Sequence, residues 1–287
     1  MAIGDIIVGI DIGTSKVSTV VGEVNNFKQI EIICNTCCRC NGMAKGQIID
    51  GDAISIAISK TIREAEEIAN FKISSAYITI PGKYTTIVQN SVVKETKDRF
   101  DGISYKDVVS ALSSVKEIEM PEDEVLIDII PDKFILEDGK TVEDPVGSYC
   151  SSFTLMAQLI LADKDYIKKI TNICRRAGIE IDGIVPITLA ERNLVLDGSE
   201  MNDNVMILDI GAGNTEIGIF KGNSFIFNDT LPLGGDNITS DIAYVLNISK
   251  EEADIDQLRE DVQKILGEAV VDFDSMRVRE GEKLYSD

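Results

Sequence analysis

Residues 5–24 read DIIVGIDIGTSKVSTVVGEV, and residues 204–221 read NVMILDIGAGNTEIGIFK. Each begins as an apolar run that closes on Asp-Ile-Gly, at Asp11-Ile12-Gly13 and at Asp209-Ile210-Gly211. Each then passes through small residues into a second run that alternates apolar and polar. Alternation of period two bounded by glycine predicts strand, tight turn, strand. The two stretches continue alike, with a third strand at 27–34 and at 224–231 and then a helix at 50–70 and at 236–246. One supersecondary unit therefore occurs twice, and an internal repeat of this kind outranks any single-segment reading.

The two turns carry the chemistry. Glycines bring backbone N–H groups close enough together to hold phosphate oxygens, and Gly13, Gly211 and Gly213 stand where that cradle forms. Thr14, Ser15, Asn214 and Thr215 add side-chain donors, and Lys16 adds a positive charge. A carboxylate is a poor neighbour for phosphate unless a cation lies between, so Asp11 and Asp209 suit Mg²⁺ held through water. Neither GxxxxGK[ST] nor a helix-opening GxGxxG occurs in the chain. Both glycine turns lead into strands, as in proteins that grip a nucleotide between two duplicated halves.

Between the repeats the texture changes. Residues 84–163 hold strands at 84–93, 125–136 and 153–161 and a helix at 104–115, with a polar loop at 94–102. This is the pattern of a small α+β insert. On either side of it the earlier style holds, with a strand at 76–80, a helix at 165–177 stopped by Gly178, a strand at 180–185 and a helix at 187–196 behind Pro186. The helix at 50–70 turns Ile54, Ile58, Ile62 and Ala65 inward, and the helix at 236–246 turns Ile238, Ile242 and Val245 inward.

Composition sets limits. The 287 residues carry 28 Lys+Arg against 49 Asp+Glu, a net charge of −21, and no His. Triads, Cys-His dyads and histidine metal sites are excluded, and a nucleic-acid surface is not expected. No apolar run reaches the roughly 20 residues of a bilayer span, and no signal peptide opens the chain. A cytoplasmic protein is the expectation. Four of six cysteines crowd into Cys34-Asn35-Thr36-Cys37-Cys38-Arg39-Cys40. A CxxC pair can begin a zinc site, but the return pair is missing, so the preferred reading is reduced thiols at a strand end and in the loop after it.

Residues 8–22 (VGIDIGTSKVSTVVG) and 208–220 (LDIGAGNTEIGIF) resemble the paired phosphate loops of the actin/Hsp70/sugar-kinase superfamily. Within it, GMAKGQIID (42–50), DPVG (144–147), GIVPITLA (183–190) and PLGGDNITSDI (232–242) are similar, in order and spacing, to the FtsA family of bacterial division proteins. The resemblance implies an actin-like, ribonuclease H-like duplicated α/β fold. Residues 1–83 with 164–199 would form the first subdomain, 84–163 the FtsA-type interaction subdomain (SHS2), and 200–287 an incomplete second subdomain with an acidic helical tail. It further implies an adaptor that binds ATP with Mg²⁺, binds the tubulin-like FtsZ and recruits later division proteins. Self-association runs through the small subdomain, at the cytoplasmic side of the inner membrane. Nucleotide then acts as an assembly switch with weak or no hydrolysis, and no catalytic residue is assigned. Gly234 and Gly235 open a helix whose N-terminus would approach the nucleotide.

Some residues depart from the family pattern. Ala212 takes the middle place of three glycines, and is strained if its φ must be positive. Asn214 and Glu216 stand where the family usually has Thr and Asp, and the longer Glu216 would displace whatever that carboxylate orients. Residues 247–287 hold twelve acidic and six basic residues, the wrong sign for a membrane helix. The apolar stripe at 255–266 is therefore expected to pack on the protein itself or on a partner, in a truncated chain or a reduced relative. Two other functions fit the residues less well. A sugar or acyl kinase needs a substrate-side catalytic Asp, for which no residue has the context. A type IV pilus adaptor lacks the insert with its Asp-Pro-Val-Gly turn.

Overall fold

The elements follow the hydrophobic pattern in chain order. Strands β1 (Ile6–Ile12), β2 (Lys16–Val24) and β3 (Ile30–Arg39) lead through the short hairpin β4 (Met43–Ala44) and β5 (Gln47–Ile48) into helix α1 (Gly51–Ala69) and strand β6 (Ser75–Ile80). The insert then supplies β7 (Thr85–Glu95), α2 (Tyr105–Val115), β8 (Glu124–Leu136), β9 (Thr141–Val142) and β10 (Ser152–Asp163). Helix α3 (Lys164–Arg176), strand β11 (Glu180–Pro186) and helix α4 (Ile187–Val195) return to the first style. The repeat closes with β12 (Asn204–Ile210), β13 (Thr215–Lys221), β14 (Ser224–Leu231) and α5 (Gly235–Leu246). The computed structural model describes residues 2–96, 102–197, 199–250 and 253. The chain falls into two compact units, 1–233 and 234–287. The expected apolar stripe at 255–266 and most of the expected loop at 94–102 lie outside the described residues.

Three sheets organise the first unit. The largest runs β11-β6-β1-β2-β3, antiparallel from β1 to β3 and parallel from β1 through β6 to β11. In order of appearance this is 3-2-1-4-5, the ribonuclease H-like arrangement. The β12-β13-β14 sheet repeats its first three strands. The insert forms β7-β10-β8-β9, with β10 at its centre.

Helix α1 shows how the first core closes. Asp50 caps it, its carboxylate accepting from the N–H groups of Asp52 and Ala53 at 3.0 Å each, and Asn70 ends it in the left-handed region. Its inward face of Ile54, Ala57, Ile58, Ile62 and Ala65 is buried against Val17, Val21 and Cys34. Each isoleucine of that face contributes about 1.5–3 kcal/mol of burial. Thr61 bridges helix to sheet, its hydroxyl 2.8 Å from that of Thr19 and its carbonyl accepting from Thr36 at 2.9 Å. The insert is tied to the β12-β13-β14 sheet by Gln158, fully buried, which donates to the Phe225 carbonyl and accepts from its N–H, both at 2.7 Å.

Two expectations need correction. Strand β3 runs to Arg39, so Cys37 and Cys38 lie in the ladder with Cys34 instead of in a loop after it. Its partner β2 extends to Lys16, and the Lys16–Arg39 pairing outweighs the weak strand propensity of Asn35. Cys34 and Cys40 are buried, which pushes both thiols up, while Cys37 is exposed. In the second unit, Ile238 and Val245 of α5 are exposed and the buried residue is Ala243. The described part of that unit is little more than this helix, so its apolar stripe has no described element of the unit to pack on. Among the described residues, no helix is long and apolar enough to cross a membrane.

Candidate phosphate-binding cleft

The two hairpin turns are built alike. In the first, Ile12 pairs with Val17 and the Gly13 N–H donates to the Lys16 carbonyl at 2.9 Å. In the second, Ile210 pairs with Thr215 and the Gly211 N–H donates to the Asn214 carbonyl at 2.9 Å. Asp11 and Asp209 each stand two residues before their glycine, opposite Ser18 and Glu216. The turns meet where Thr14 Oγ1 donates to Asn214 Oδ1 at 2.7 Å.

Between them opens a cleft of about 470 Å³. Its walls include Asp11, Gly13, Thr14, Ser15 and Lys16 from the first repeat and Asp209, Gly211, Ala212 and Asn214 from the second. Gly213 is packed behind it, where an added Cβ would fall 2.5 Å from the Thr14 methyl. Thr215 turns its hydroxyl to the Leu233 carbonyl at 2.8 Å. Gly234 and Gly235 belong to the second unit, where the Gly234 N–H donates to Asn237 Oδ1 at 2.9 Å as α5 begins.

Glycine serves these turns through space and not through φ. A Cβ on Gly13 would lie 3.2 Å from the Lys16 carbonyl oxygen, and one on Gly211 3.0 Å from that of Asn214. None of Gly13, Gly211, Ala212 and Gly213 has a positive φ. The strain expected at Ala212 is therefore absent, because its backbone is one that any L-residue adopts.

Glu216 also departs from expectation. It is 1% exposed and sits behind the cleft as a three-way acceptor. Oε1 takes the Asn214 amide at 2.6 Å, and Oε2 takes the Gly82 N–H at 2.8 Å and the Thr230 hydroxyl at 2.7 Å. The extra methylene lets it span from the second turn to the Pro81-Gly82 junction where the insert begins. Burial raises its pKa, and these three donors pull it back. Asn214 and Glu216 thus depart from the family pattern as a bonded pair.

The sequence reading missed Glu191. This α4 residue lines the cleft one helical turn beyond Ile187, which also lines it. Its Oε2 is buried without a hydrogen-bond partner, a state it shares with Arg192 Nε among the described residues. Burial, then the carboxylates of Asp209, Asp11 and Glu216, push its pKa up to about 7. Burial and then Asp11 also raise Asp209. Asp11 is held by the Thr79 hydroxyl at 2.6 Å. The signal in the sequence was the i, i+4 spacing of Ile187 and Glu191 on one predicted helix face. What the sequence does not show is which way that face points. The lining residues thus bring three carboxyl groups and one ammonium group, Lys16, to one space. Among the described residues, no three Cys, Asp or Glu side chains lie close enough to hold an ion directly.

A 3-2-1-4-5 sheet, a second sheet that repeats its first three strands, and matched glycine hairpins facing one cleft define an actin-like protein. Solved structures agree on the fold. The PilM-PilN type IV pilus biogenesis complex matches with a TM-score of 0.57 at 15% identity, over 95% of this chain and 77% of that one. The ethanolamine utilization protein EutJ from Carboxydothermus hydrogenoformans matches at 0.51 and 15% identity, over 90% and 65%. Two family models match, "Cell division protein FtsA" over residues 206–282 and "SHS2 domain inserted in FTSA" over 82–161. FtsA of Bacillus subtilis is 31% identical over 268 residues, 93% of this chain and 59% of that protein. FtsA of Pseudomonas aeruginosa is 27% identical over 256 residues, 89% and 61%. The chain is FtsA-like along most of its length, and it spans about three fifths of the length of these relatives.

Proposed function

We propose that this chain works as an FtsA-type division adaptor whose cleft binds ATP with Mg²⁺ as an assembly switch. The observation that carries this reading is the pair of equally built glycine hairpins, bonded through Thr14 and Asn214 and facing one cleft. Phosphate oxygens would rest on the hairpin tips, with Lys16, Thr14, Ser15 and Asn214 beside them. The cleft also fits a cation. Three carboxyl groups against one lysine repel a bare triphosphate, and a cation between them removes that repulsion. Asp11 and Asp209 would hold Mg²⁺ through its water, and the ion would supply charge neutralisation for the phosphates.

In this reading residues 1–83 with 164–199 form the first actin-like subdomain, 200–287 the second, and 84–163 the contact module for self-association. FtsZ and later division proteins are the partners, at the cytoplasmic face of the inner membrane, and nucleotide turnover is weak or absent. Titration with a fluorescent ATP analogue tests the cleft, where saturable binding is expected and a linear signal rejects the switch. Co-sedimentation with FtsZ polymers tests the adaptor, and no binding at micromolar concentration rejects that role.

A further inference from the structure

At the end of β2 opposite the Gly13 turn, residues 25–29 lead the chain into β3. The Asn25 side-chain carbonyl accepts from the N–H groups of Phe27 at 2.9 Å and Gln29 at 3.0 Å. The Asn25 backbone N–H donates to the Gln29 carbonyl at 2.8 Å, and its carbonyl accepts from the Lys28 N–H at 2.9 Å. These four bonds hold Lys28 in the left-handed region, at φ 59°, and present the Phe27 ring to solvent, 83% exposed. A large aromatic surface on an ordered tip is the form of an interface anchor, because little freedom is lost when it is covered.

Beside the tip lies a groove of about 370 Å³ whose walls include Ile3, Ile32, Ile33, Glu23 and Glu31. Successive residues of a regular strand face opposite sides, yet Ile32 and Ile33 both line it, because β3 is bulged there. Gly22 pairs with Ile32 and Val21 with Cys34, which leaves Ile33 as the extra residue. Glu23 and Glu31 are direct partners in the ladder, a like-charged pair that a cation between them would relieve. Strand β3 ends the five-stranded sheet, so its outer row of N–H and C=O groups faces away from β2. Apolar groove, paired carboxylates and strand edge therefore adjoin.

We propose that this edge docks an extended segment of a partner protein that carries basic and apolar side chains in alternation. The segment adds to β3 as a further strand. A basic side chain lies between Glu23 and Glu31, and its apolar neighbour lies against Ile32 and Ile33. Charge selects this occupant. A second copy would bring the same two carboxylates and a net charge of −21, and an anionic lipid surface would be repelled in the same way. The surface shares no residue with the cleft, so its test is independent of nucleotide.

The probe is a fluorescent ten-residue peptide of alternating valine and arginine, titrated into the full chain beside two twins. One twin has glutamate for arginine, and the other is N-methylated at alternate residues. The basic peptide is expected to bind saturably and neither twin to bind. Glu23→Gln with Glu31→Gln should weaken binding about fivefold, and Ile32→Asp about tenfold. All three side chains are exposed, so the variants keep the fold. Failure of wild type to bind the basic peptide, equal binding of the N-methylated twin, or binding that either variant leaves unchanged overturns the proposal. Co-sedimentation with phosphatidylglycerol vesicles that Phe27→Asp abolishes overturns it in favour of a lipid surface. A wild-type dimer that Ile32→Asp turns into monomer overturns it in favour of a second copy.

Discussion

Two glutamates near one cleft show how far a residue's worth depends on its donors. Glu216 and Glu191 are both pushed up by burial, but three donors hold Glu216 and none holds Glu191 Oε2. Glu216→Ala strands the Gly82 N–H, the Asn214 amide and the Thr230 hydroxyl in a buried space. It should cost about 3 kcal/mol or more, read as a lower denaturant midpoint at unchanged slope. Glu191 behaves oppositely. Below its ordinary value of 4.5, folded and unfolded chains are both protonated there, and the residue contributes nothing. Between that value and about 7 the folded chain keeps a proton that the unfolded chain has released, so stability falls as pH rises. Above that window the full penalty remains, about 2 kcal/mol once solvent screening in the open cleft is allowed for. Urea unfolding should therefore show Glu191→Gln equal to wild type near the acid end of the window and more stable above it. Parallel pH profiles for the two proteins would contradict this.

At the scale of elements, the hairpins were the readable part. Asp-Ile-Gly, the four-residue turn and the following strand are local, and local pattern fixed both turns and the bounds of β12, β13 and β14. The unreadable part is whatever depends on partners far along the chain. Glu216 meets Gly82 across 134 residues, and α4 had no mark to show which face meets the cleft. Strand β3 outran its own propensity because β2 was long enough to pair with it. Glycine could be recognised in the turns, but its reason could not, since contact with Lys16 and Asn214 carbonyls and not positive φ requires it. Two substitutions separate these causes. Gly211→Ala pushes a methyl to 3.0 Å from the Asn214 oxygen and should destabilise by about 1 kcal/mol. Ala212→Gly, which restores the family's triple glycine, relieves no strain and loosens the unfolded chain. It should lower stability by about 0.5 kcal/mol. A gain from Ala212→Gly would mean that the backbone there is strained after all.

At the scale of the whole molecule, two features oppose each other: a net charge of −21 and an apolar strand that no described residue covers. The duplication makes the second feature measurable. Ile10 and Ile12 of β1 correspond to Leu208 and Ile210 of β12, one place before and one place after the matched aspartates. The first pair is 1% and 5% exposed, the second 48% and 67%. In the first sheet β6 pairs with β1 on its outer side, while among the described residues nothing pairs with the outer side of β12. An apolar edge strand with free N–H and C=O groups is a site for association. A charge of −21 keeps copies apart only over the screening length, about 10 Å at 0.1 M salt and about 3 Å at 1 M. Association of this chain should therefore grow with ionic strength, opposite to a contact made by ion pairs. Sedimentation velocity in rising sodium chloride should show the weight-average coefficient increase. Leu208→Lys together with Ile210→Lys should hold it at the monomer value, because both side chains stand exposed on the sheet face that no described residue covers. A mass that is independent of salt, or association that survives the double lysine variant, would place the contact elsewhere on the surface.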